Sequence, residues 1–225
     1  MTDPLIIAPE TVLKAYHLGI FPMALARESS EIHFYEPDMR GIIPLSPPHI
    51  PKRLLRTVKQ KPFHIRYNTA FHEVITQCAT LTTARDDTWI NDAIITLYTS
   101  LHEMGHAHSV EVYDDMTLVG GLYGIRLGRV FFGESMFSRT PNASKIALTH
   151  LIARLHHGGF TLLDAQFGND HLTQFGLFEI PKEEFQILLA EGKDGGQDGS
   201  DSDFHFEKTE DEMISHLLQA IKVTS

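Results

Sequence analysis

The residues best suited to chemistry are polar side chains that lie at the ends of apolar runs. Glu134 interrupts one such run, and Asp164 and Gln166 end another. Side chains alternate across a strand, so Asp164 and Gln166, two residues apart, are expected to share one face. A polar group within an apolar strand is costly unless it is paired or used. The segment from Gly133 to Gly176 is therefore the first place to look for an active site.

Apolar periodicity predicts the elements that must position these side chains. Helical spacing is found in four segments, at residues 9–19, 68–78 and 91–104 and from Asn142 or Ser144 to His157. Strand patterns cover residues 109–113, 117–125, 130–136 and 160–166. A three-stranded meander, a helix and a returning strand predict an α+β fold with helices packed on a sheet.

Composition and charge divide the 225 residues into three predicted segments. A small N-terminal domain (1–61) has a basic C-terminal part, residues 62–190 form the main domain, and residues 191–225 are an acidic Gly/Asp linker with a terminal amphipathic helix or tail. The net charge is −10, but no acidic residue occurs between Met39 and His72. That window carries the cations that could meet a polyanion, or that simply form a solvated face: Arg40, Lys52, Arg53, Arg56, Lys59, Lys61 and Arg66.

No cofactor is expected from the motifs. Residues His102 to His106 match the HExxH pattern of zinc proteases, in which both histidines lie on one face of a helix. Gly105 interrupts the pattern and a predicted strand begins soon after it, so the helix should end before His106 can lie on the same face as His102. No glycine-rich phosphate loop is present, which argues against ATP and NAD. The single cysteine and the absence of a long apolar run predict a soluble cytoplasmic protein.

Aromatic residues offer a second kind of candidate site. Trp89 is either a core aromatic or a flat wall for an apolar ligand. The pair Phe34 and Tyr35 could stack on a base or anchor a strand. Periodicity leaves both alternatives open.

Several unbroken blocks, which together span about residues 5–190, carry a resemblance to a known family. They are Ala15-Tyr16 with Gly19-Ile20-Phe21-Pro22-Met23, Pro37-Asp38-Met39-Arg40-Gly41, Thr88-Trp89-Ile90, the His-rich stretch Leu101 to Ser109, Gly120 to Gly124, Gly133 to Ser138, Asn142 to Lys145 and Leu163-Asp164-Ala165-Gln166. In these blocks the chain resembles the leucyl/phenylalanyl-tRNA–protein transferases.

The resemblance implies a fold and an activity. The larger domain is expected to resemble the acetyltransferase (GNAT-like) fold, with a mainly antiparallel sheet and no use of coenzyme A. The expected reaction moves leucine, phenylalanine or, less readily, methionine from aminoacyl-tRNA to proteins with N-terminal arginine or lysine, which marks them for N-degron degradation. The expected partners are charged tRNA and those acceptor proteins, with no membrane and a monomeric state.

The resemblance also implies residue roles. Gln166 would contact the acceptor α-amino group, Asp164 would orient Gln166, and Glu134 would lie near the same centre. Trp89 and Met136 would line an apolar pocket for the side chain of the transferred residue, and Phe34, Tyr35 and Asn169 are further candidates for substrate binding. The seven cations from Arg40 to Arg66 would contact phosphates of the tRNA acceptor stem. Phe34 stands where the family often has tryptophan, and the tail beyond residue 191 has no identified counterpart.

Two alternatives of other classes stay open. One is an N-acyltransferase of similar fold with a different acyl donor, although the approach to the Asn142 helix lacks the pyrophosphate-binding turn of acetyl-CoA enzymes. The other is a non-enzymatic protein that binds the tRNA end.

Overall fold

The computed structural model of the protein describes residues 7–82, 86–194 and 209–223. The helices are α1 (Pro9–His17), α2 (Lys52–Lys59), α3 (Phe71–Ala79), α4 (Asp92–Glu103), α5 (Ala143–His157), α6 (Asp170–Thr173), α7 (Lys182–Asp194) and α8 (Glu210–Val223). The strands are β1 (Phe21–Ala24), β2 (Ile32–Tyr35), β3 (Met39–Ile43), β4 (His64–Tyr67), β5 (Ala107–Asp114), β6 (Thr117–Leu127), β7 (Val130–Ser138), β8 (Leu162–Gln166) and β9 (Phe178–Pro181). Among these described helices, none has the length and apolar character of a membrane span.

The main sheet has seven strands in the order β4-β5-β6-β7-β8-β3-β9. Tight turns at Asp115 and Gly128, both with positive φ, join β5, β6 and β7 into the predicted meander. Helix α5 then crosses over to β8, which therefore runs parallel to β7, while every other neighbouring pair is antiparallel. The predicted α+β fold with a mainly antiparallel sheet is confirmed.

Helices cover both faces of this sheet, and its central strands are mostly buried. Phe132 packs in a layer with residues of α1, α3, α4 and α7, whereas its neighbour Phe131 packs in a layer with residues of α2, α5 and α8. This split follows from the alternation of side chains along a strand. The central strands therefore lie between two layers of helices.

Strands β7 and β8 separate after a short paired stretch. Their register runs from Val130 opposite Leu162 to Phe132 opposite Asp164, and beyond it β7 stays with β6 while Gln166 pairs with Gly41 of β3. Gly41 permits that close approach, because a Cβ there would lie 2.9 Å from the carbonyl oxygen of Phe167. The split leaves room between the ends of the two strands.

Two local predictions need correction. Asn142 precedes α5 with a left-handed φ of 69° and its side chain makes no capping hydrogen bond, so it does not cap the helix as expected. Residues 191–194, expected in a flexible linker, are the last turn of α7, and residues 195–208 lie outside the described part of the chain. The division into segments 1–61, 62–190 and 191–225 stays a prediction.

Candidate active site

Glu134 is the centre of a buried hydrogen-bond network at the split between β7 and β8. Its Oε1 accepts from the Tyr16 hydroxyl at 2.6 Å and from Gln166 Nε2 at 2.8 Å, and its Oε2 accepts from the Tyr98 hydroxyl at 3.2 Å. Tyr16 comes from α1 and Tyr98 from α4, and their hydroxyls also hydrogen-bond to each other. Three separate elements therefore hold one carboxylate in place.

The charge of this carboxylate is not cancelled by its hydrogen-bond donors. Burial raises the pKa of Glu134 to about 7, and the hydrogen bonds from Tyr16, Gln166 and Tyr98 limit the rise. All three donors are neutral groups. Glu134 can therefore change its protonation state near neutral pH, as functional carboxylates often do.

Asp164 is bound by a buried arginine. Arg40 donates from Nε to Oδ1 at 3.1 Å and from Nη2 to Oδ2 at 2.6 Å, and its Nη1 donates to the Gly19 carbonyl. Burial raises the pKa of Asp164, and the guanidinium opposes that rise. Arg40 was expected to contact tRNA, and this is wrong, since it is only 1% exposed and its charge is paired inside the protein.

Gln166 ends β8 in a conformation that is unusual for a residue other than glycine. Its φ is +64°, and its backbone N–H donates to Asp164 Oδ1 at 2.8 Å. The turn aims the side chain at Glu134. Because an ionised carboxylate can only accept, Glu134 must face the NH₂ group of the amide, which leaves the Gln166 carbonyl oxygen for another donor.

A cavity of about 250 Å³ opens beside this network. Its lining includes Met136 and Asn169, as expected of substrate-binding residues, and several aliphatic side chains: Ile43, Leu122, Leu148, Leu151, Leu163 and Leu172. Asn169 also caps α6, since its side chain accepts from the His171 backbone N–H at 2.7 Å. The cavity therefore combines an apolar wall with the carboxylates Glu134 and Asp164.

The other predicted substrate contacts lie outside the lining of this cavity. Trp89 is partly buried against the core, and its carbonyl accepts from the Ala24 backbone N–H at 3.2 Å. Phe34 is 41% exposed on β2, and Tyr35 stacks on Phe21, with 6.3 Å between ring centroids. Phe21 in turn makes an edge contact with Phe167, the residue after Gln166. An aromatic row thus leads from β2 to the network.

The cations predicted to contact tRNA differ in their solvent exposure and in whether another group binds them. Four of them are exposed on α2: Lys52, Arg53, Arg56 and Lys59. Lys61 is bound to Asp211 of α8, and Arg66 lies over the Tyr113 ring with 4.7 Å to its centroid. We call the four exposed cations of α2 the basic face.

The network contains three residues whose role the sequence did not reveal. Tyr16 and Tyr98 read as apolar-face residues of their helices, and Arg40 read as one of many surface cations.

The helix that leads into the histidine motif ends where the sequence predicted. Helix α4 ends at Glu103 and Gly105 has a φ of 81°, so His106 does not continue the helical face of His102. His102 stacks on Phe71, with ring centroids 4.4 Å apart, and its Nδ1 lies 2.7 Å from the Ala107 carbonyl oxygen.

Comparison with known proteins gives consistent matches. The family model described as leucyl/phenylalanyl-tRNA protein transferase matches residues 42–190, and the model of the N-terminal domain of the same family matches residues 7–38. A leucyl/phenylalanyl-tRNA–protein transferase of Nitrobacter winogradskyi is 52% identical over 192 residues, which are 85% of each chain. The chain is also similar to two proteins of the same name. The one from Phenylobacterium zucineum is 55% identical and the match covers 79% of this chain and 80% of the relative, and the one from Rhodopseudomonas palustris is 52% identical over 84% of each chain.

Proposed function

Because the chain belongs to the leucyl/phenylalanyl-tRNA–protein transferase family, we propose that it moves leucine, phenylalanine and, less readily, methionine from aminoacyl-tRNA to proteins with N-terminal arginine or lysine. The enzyme is an aminoacyltransferase. The product would carry a new N-terminal residue that marks the protein for N-degron degradation. We further propose that the enzyme acts in the cytoplasm as a monomer.

The reaction joins an amine to an ester carbonyl carbon. The acceptor nitrogen forms the new C–N bond, the C–O bond to the tRNA 3′-terminal ribose breaks, and the proton leaves through that ribose oxygen or water. The ester is already activated, so the enzyme has mainly to hold the two reactants in an attacking geometry. Neither ATP nor a metal ion is needed for this step.

The observation that carries the proposal is the hydrogen bond from Gln166 Nε2 to Glu134 Oε1 at 2.8 Å. It fixes which end of the amide faces the carboxylate, so that the Gln166 carbonyl oxygen can accept an N–H of the incoming α-amine. A neutral amide is too weak a base to take the proton, and we therefore assign Gln166 an orienting role. Asp164 supports it through the Gln166 backbone N–H.

The charge of Glu134 keeps the Gln166 amide in one orientation. When ionised it can only accept, and Tyr16, Tyr98 and Gln166 all donate to it. When protonated it could donate to the Gln166 carbonyl oxygen and allow the amide to turn over. The active form of the site would therefore be the one with an ionised Glu134.

The aliphatic cavity fits the side chain of the transferred residue. Met136 and the leucines around it would surround leucine or phenylalanine, and Asn169 would contact the polar part of the aminoacyl group. Rejection of isoleucine would depend on the shape near the β-carbon, worth about 1–3 kcal/mol for a misplaced methyl group. Trp89 lies outside the lining of the cavity and packs against the core, so we assign it no contact with the transferred side chain.

Two surfaces would bind the tRNA. Phe34 and Tyr35 would meet the 3′-terminal adenosine, since an exposed aromatic ring can stack on a base. The basic face of α2 would contact phosphates of the acceptor stem, with Arg66 beyond it. Phosphate contacts position the tRNA without reading its sequence.

The direct test is transfer of radiolabelled leucine from Leu-tRNA to a protein with an N-terminal arginine. The same protein with N-terminal alanine is the matched control, and tRNAs charged with phenylalanine, methionine and isoleucine define the donor range. We expect label on the arginine protein only, with isoleucine poorly transferred. Absence of label from all four donors would reject the proposed function.

A further inference from the structure

Arg40 is the most deeply buried cation near the site, and the transfer chemistry above does not use it. It lies on β3, between β8 and β9, and is 1% exposed. A buried charge is tolerated only when it is paired and hydrogen-bonded. The question is whether the pairing serves the fold alone or also the reaction.

The contacts of Arg40 leave its guanidinium very little freedom. It forms two parallel hydrogen bonds to Asp164, with Nε to Oδ1 at 3.1 Å and Nη2 to Oδ2 at 2.6 Å, and a third to the Gly19 carbonyl. The rings of Phe21 and Phe185 lie 5.0 Å and 4.2 Å from its Cζ. The planar guanidinium can form two parallel hydrogen bonds to a carboxylate only when the two groups have one relative orientation. A lysine ammonium group does not impose such an orientation.

The carboxylate that Arg40 holds has a second partner. Asp164 Oδ1 accepts from Arg40 Nε and also from the Gln166 backbone N–H at 2.8 Å. Gln166 adopts its left-handed φ of +64° at this point. A rotation of the Asp164 side chain would therefore release the turn that aims Gln166 at Glu134.

We propose that Arg40 is a positioning residue for aminoacyl transfer: it fixes the Asp164 carboxylate, which fixes the turn at Gln166. This inference rests on the proposed function, in which Gln166 orients the acceptor amine. Arg40 also connects the turn to the Gly19–Phe21 segment, so the N-terminal part of the chain contributes to the geometry of the site. It does not touch a substrate.

The test is the variant Arg40→Lys, in which the charge remains but the two parallel hydrogen bonds cannot both form. We expect kcat to fall by on the order of 10²-fold, because a displacement of about 1 Å at the reacting groups is enough for such a loss. The KM for Leu-tRNA should stay within about twofold, since Arg40 cannot reach a phosphate. The matched control is Arg126→Lys, which changes another buried arginine (8% exposed) that lies on β6.

Three results would overturn the inference. The first is an unchanged kcat in Arg40→Lys. The second is a raised KM for Leu-tRNA with unchanged kcat, which would make Arg40 a tRNA contact. The third is an equal loss of kcat in Arg126→Lys at equal thermal stability, which would show a merely structural role. Wild-type protein that transfers no label would instead reject the proposed function.

A second pair of variants separates folding from positioning. Arg40→Met removes the cation that faces the buried Asp164 carboxylate and should lower stability, whereas Arg40→Met with Asp164→Asn buries no charge and should regain it. We expect kcat of this double variant to stay far below that of the wild type. Recovery of kcat together with stability would overturn the proposal.

Discussion

Two partly buried glutamates in this protein lie among similar groups but differ in whether a cation donates to them. Among the residues that the structure describes, the hydrogen-bond donors to Glu134 are the neutral groups of Tyr16, Tyr98 and Gln166. Glu210, at the start of α8, accepts from the Tyr67 hydroxyl and from Arg154 Nη2 at 3.0 Å, and it lies 2.9 Å from His150 Nδ1. One carboxylate thus lacks a cation among its hydrogen-bond donors, and the other has one.

The pKa values of the two glutamates follow this balance. Burial raises the pKa of Glu134 to about 7. Burial also acts on Glu210, but hydrogen bonds from His150 and Tyr67 and the positive charge of Arg154 hold its pKa below the usual range. A carboxylate that is paired with a cation typically holds two elements of a fold together. A carboxylate beside a cavity that has no cationic donor and a raised pKa is a candidate functional group.

The surroundings of the two glutamates differ in the same sense. Glu210 is followed by Met213 and Leu217, which are buried in the layer shared with α5, so it acts as part of a packed helix. It also lies outside the family match, which ends at residue 190. Glu134 lies within that match and lines the cavity. The difference separates a structural ion pair from a candidate active site.

The largest effect should come from the same substitution at both positions. Glu134→Gln places an NH₂ group beside the Gln166 amide and frees it to turn over, and we expect kcat to fall roughly 10²–10³-fold, as for the loss of a positioned donor in other sites. Glu210→Gln should leave kcat within about twofold. The measurement is single-turnover transfer of labelled leucine. Equal losses in both variants would remove the distinction between the two clusters.

The second largest difference between the Glu134 and Glu210 clusters should be in how stability and transfer depend on pH. Since the folded-state pKa of Glu134 lies above its ordinary 4.5, the folded protein binds the extra proton between pH 4.5 and 7. The free energy of unfolding should therefore fall as pH rises through that window, by up to about 3 kcal/mol for a pKa raised from 4.5 to about 7. Transfer should rise over the same range, because the ionised form holds Gln166.

Glu134→Gln provides the control for this profile. The acceptor α-amine also titrates, with a pKa of about 7.7–8.0, and it does so equally for both proteins. The difference between the wild-type and variant profiles isolates Glu134. If the two profiles have the same shape from pH 5 to 8, the role given to the Glu134 charge is wrong.

The balanced cluster should matter for stability rather than for transfer. Glu210→Ala removes the acceptor of Tyr67 and Arg154, and we expect a loss of about 1–3 kcal/mol in the free energy of unfolding at pH 7. Because the folded pKa of Glu210 is lowered, this contribution is present above its ordinary pKa and is lost as pH falls below it. Urea unfolding at pH 7 and pH 4 measures it. A larger effect at pH 4 would contradict this assignment.

The smallest effects should come from the surface charges near α8. Neutralising Arg56 on the basic face should weaken Leu-tRNA binding a few-fold and reduce the slope of log K against log salt by about one. Neutralising Lys61 should do less, because Asp211 already binds it. Filter binding at several salt concentrations tests both. An equal slope change for the Arg56 and Lys61 variants would show that Asp211 does not shield Lys61.

Much of the fold followed from local patterns. The meander from β5 to β7 was predicted because its strands are apolar runs divided by Asp114-Asp115 and by Gly128, and both turns have the positive φ that such residues favour. Helix ends were less accurate. Asn142 was expected to cap α5, but its backbone is left-handed, whereas a capping residue is normally extended, and its side chain makes no capping hydrogen bond.

The sequence by itself determined the family, the α+β class and the three polar residues Glu134, Asp164 and Gln166, because a polar side chain in an apolar run is visible without a structure. Only the tertiary structure decided what holds them. Arg40 is 124 residues from Asp164, and Tyr16 is 118 residues from Glu134. A charge or a hydroxyl carries no local sign of its distant partner, so only the structure shows that Arg40, expected to contact tRNA, is buried and paired with Asp164.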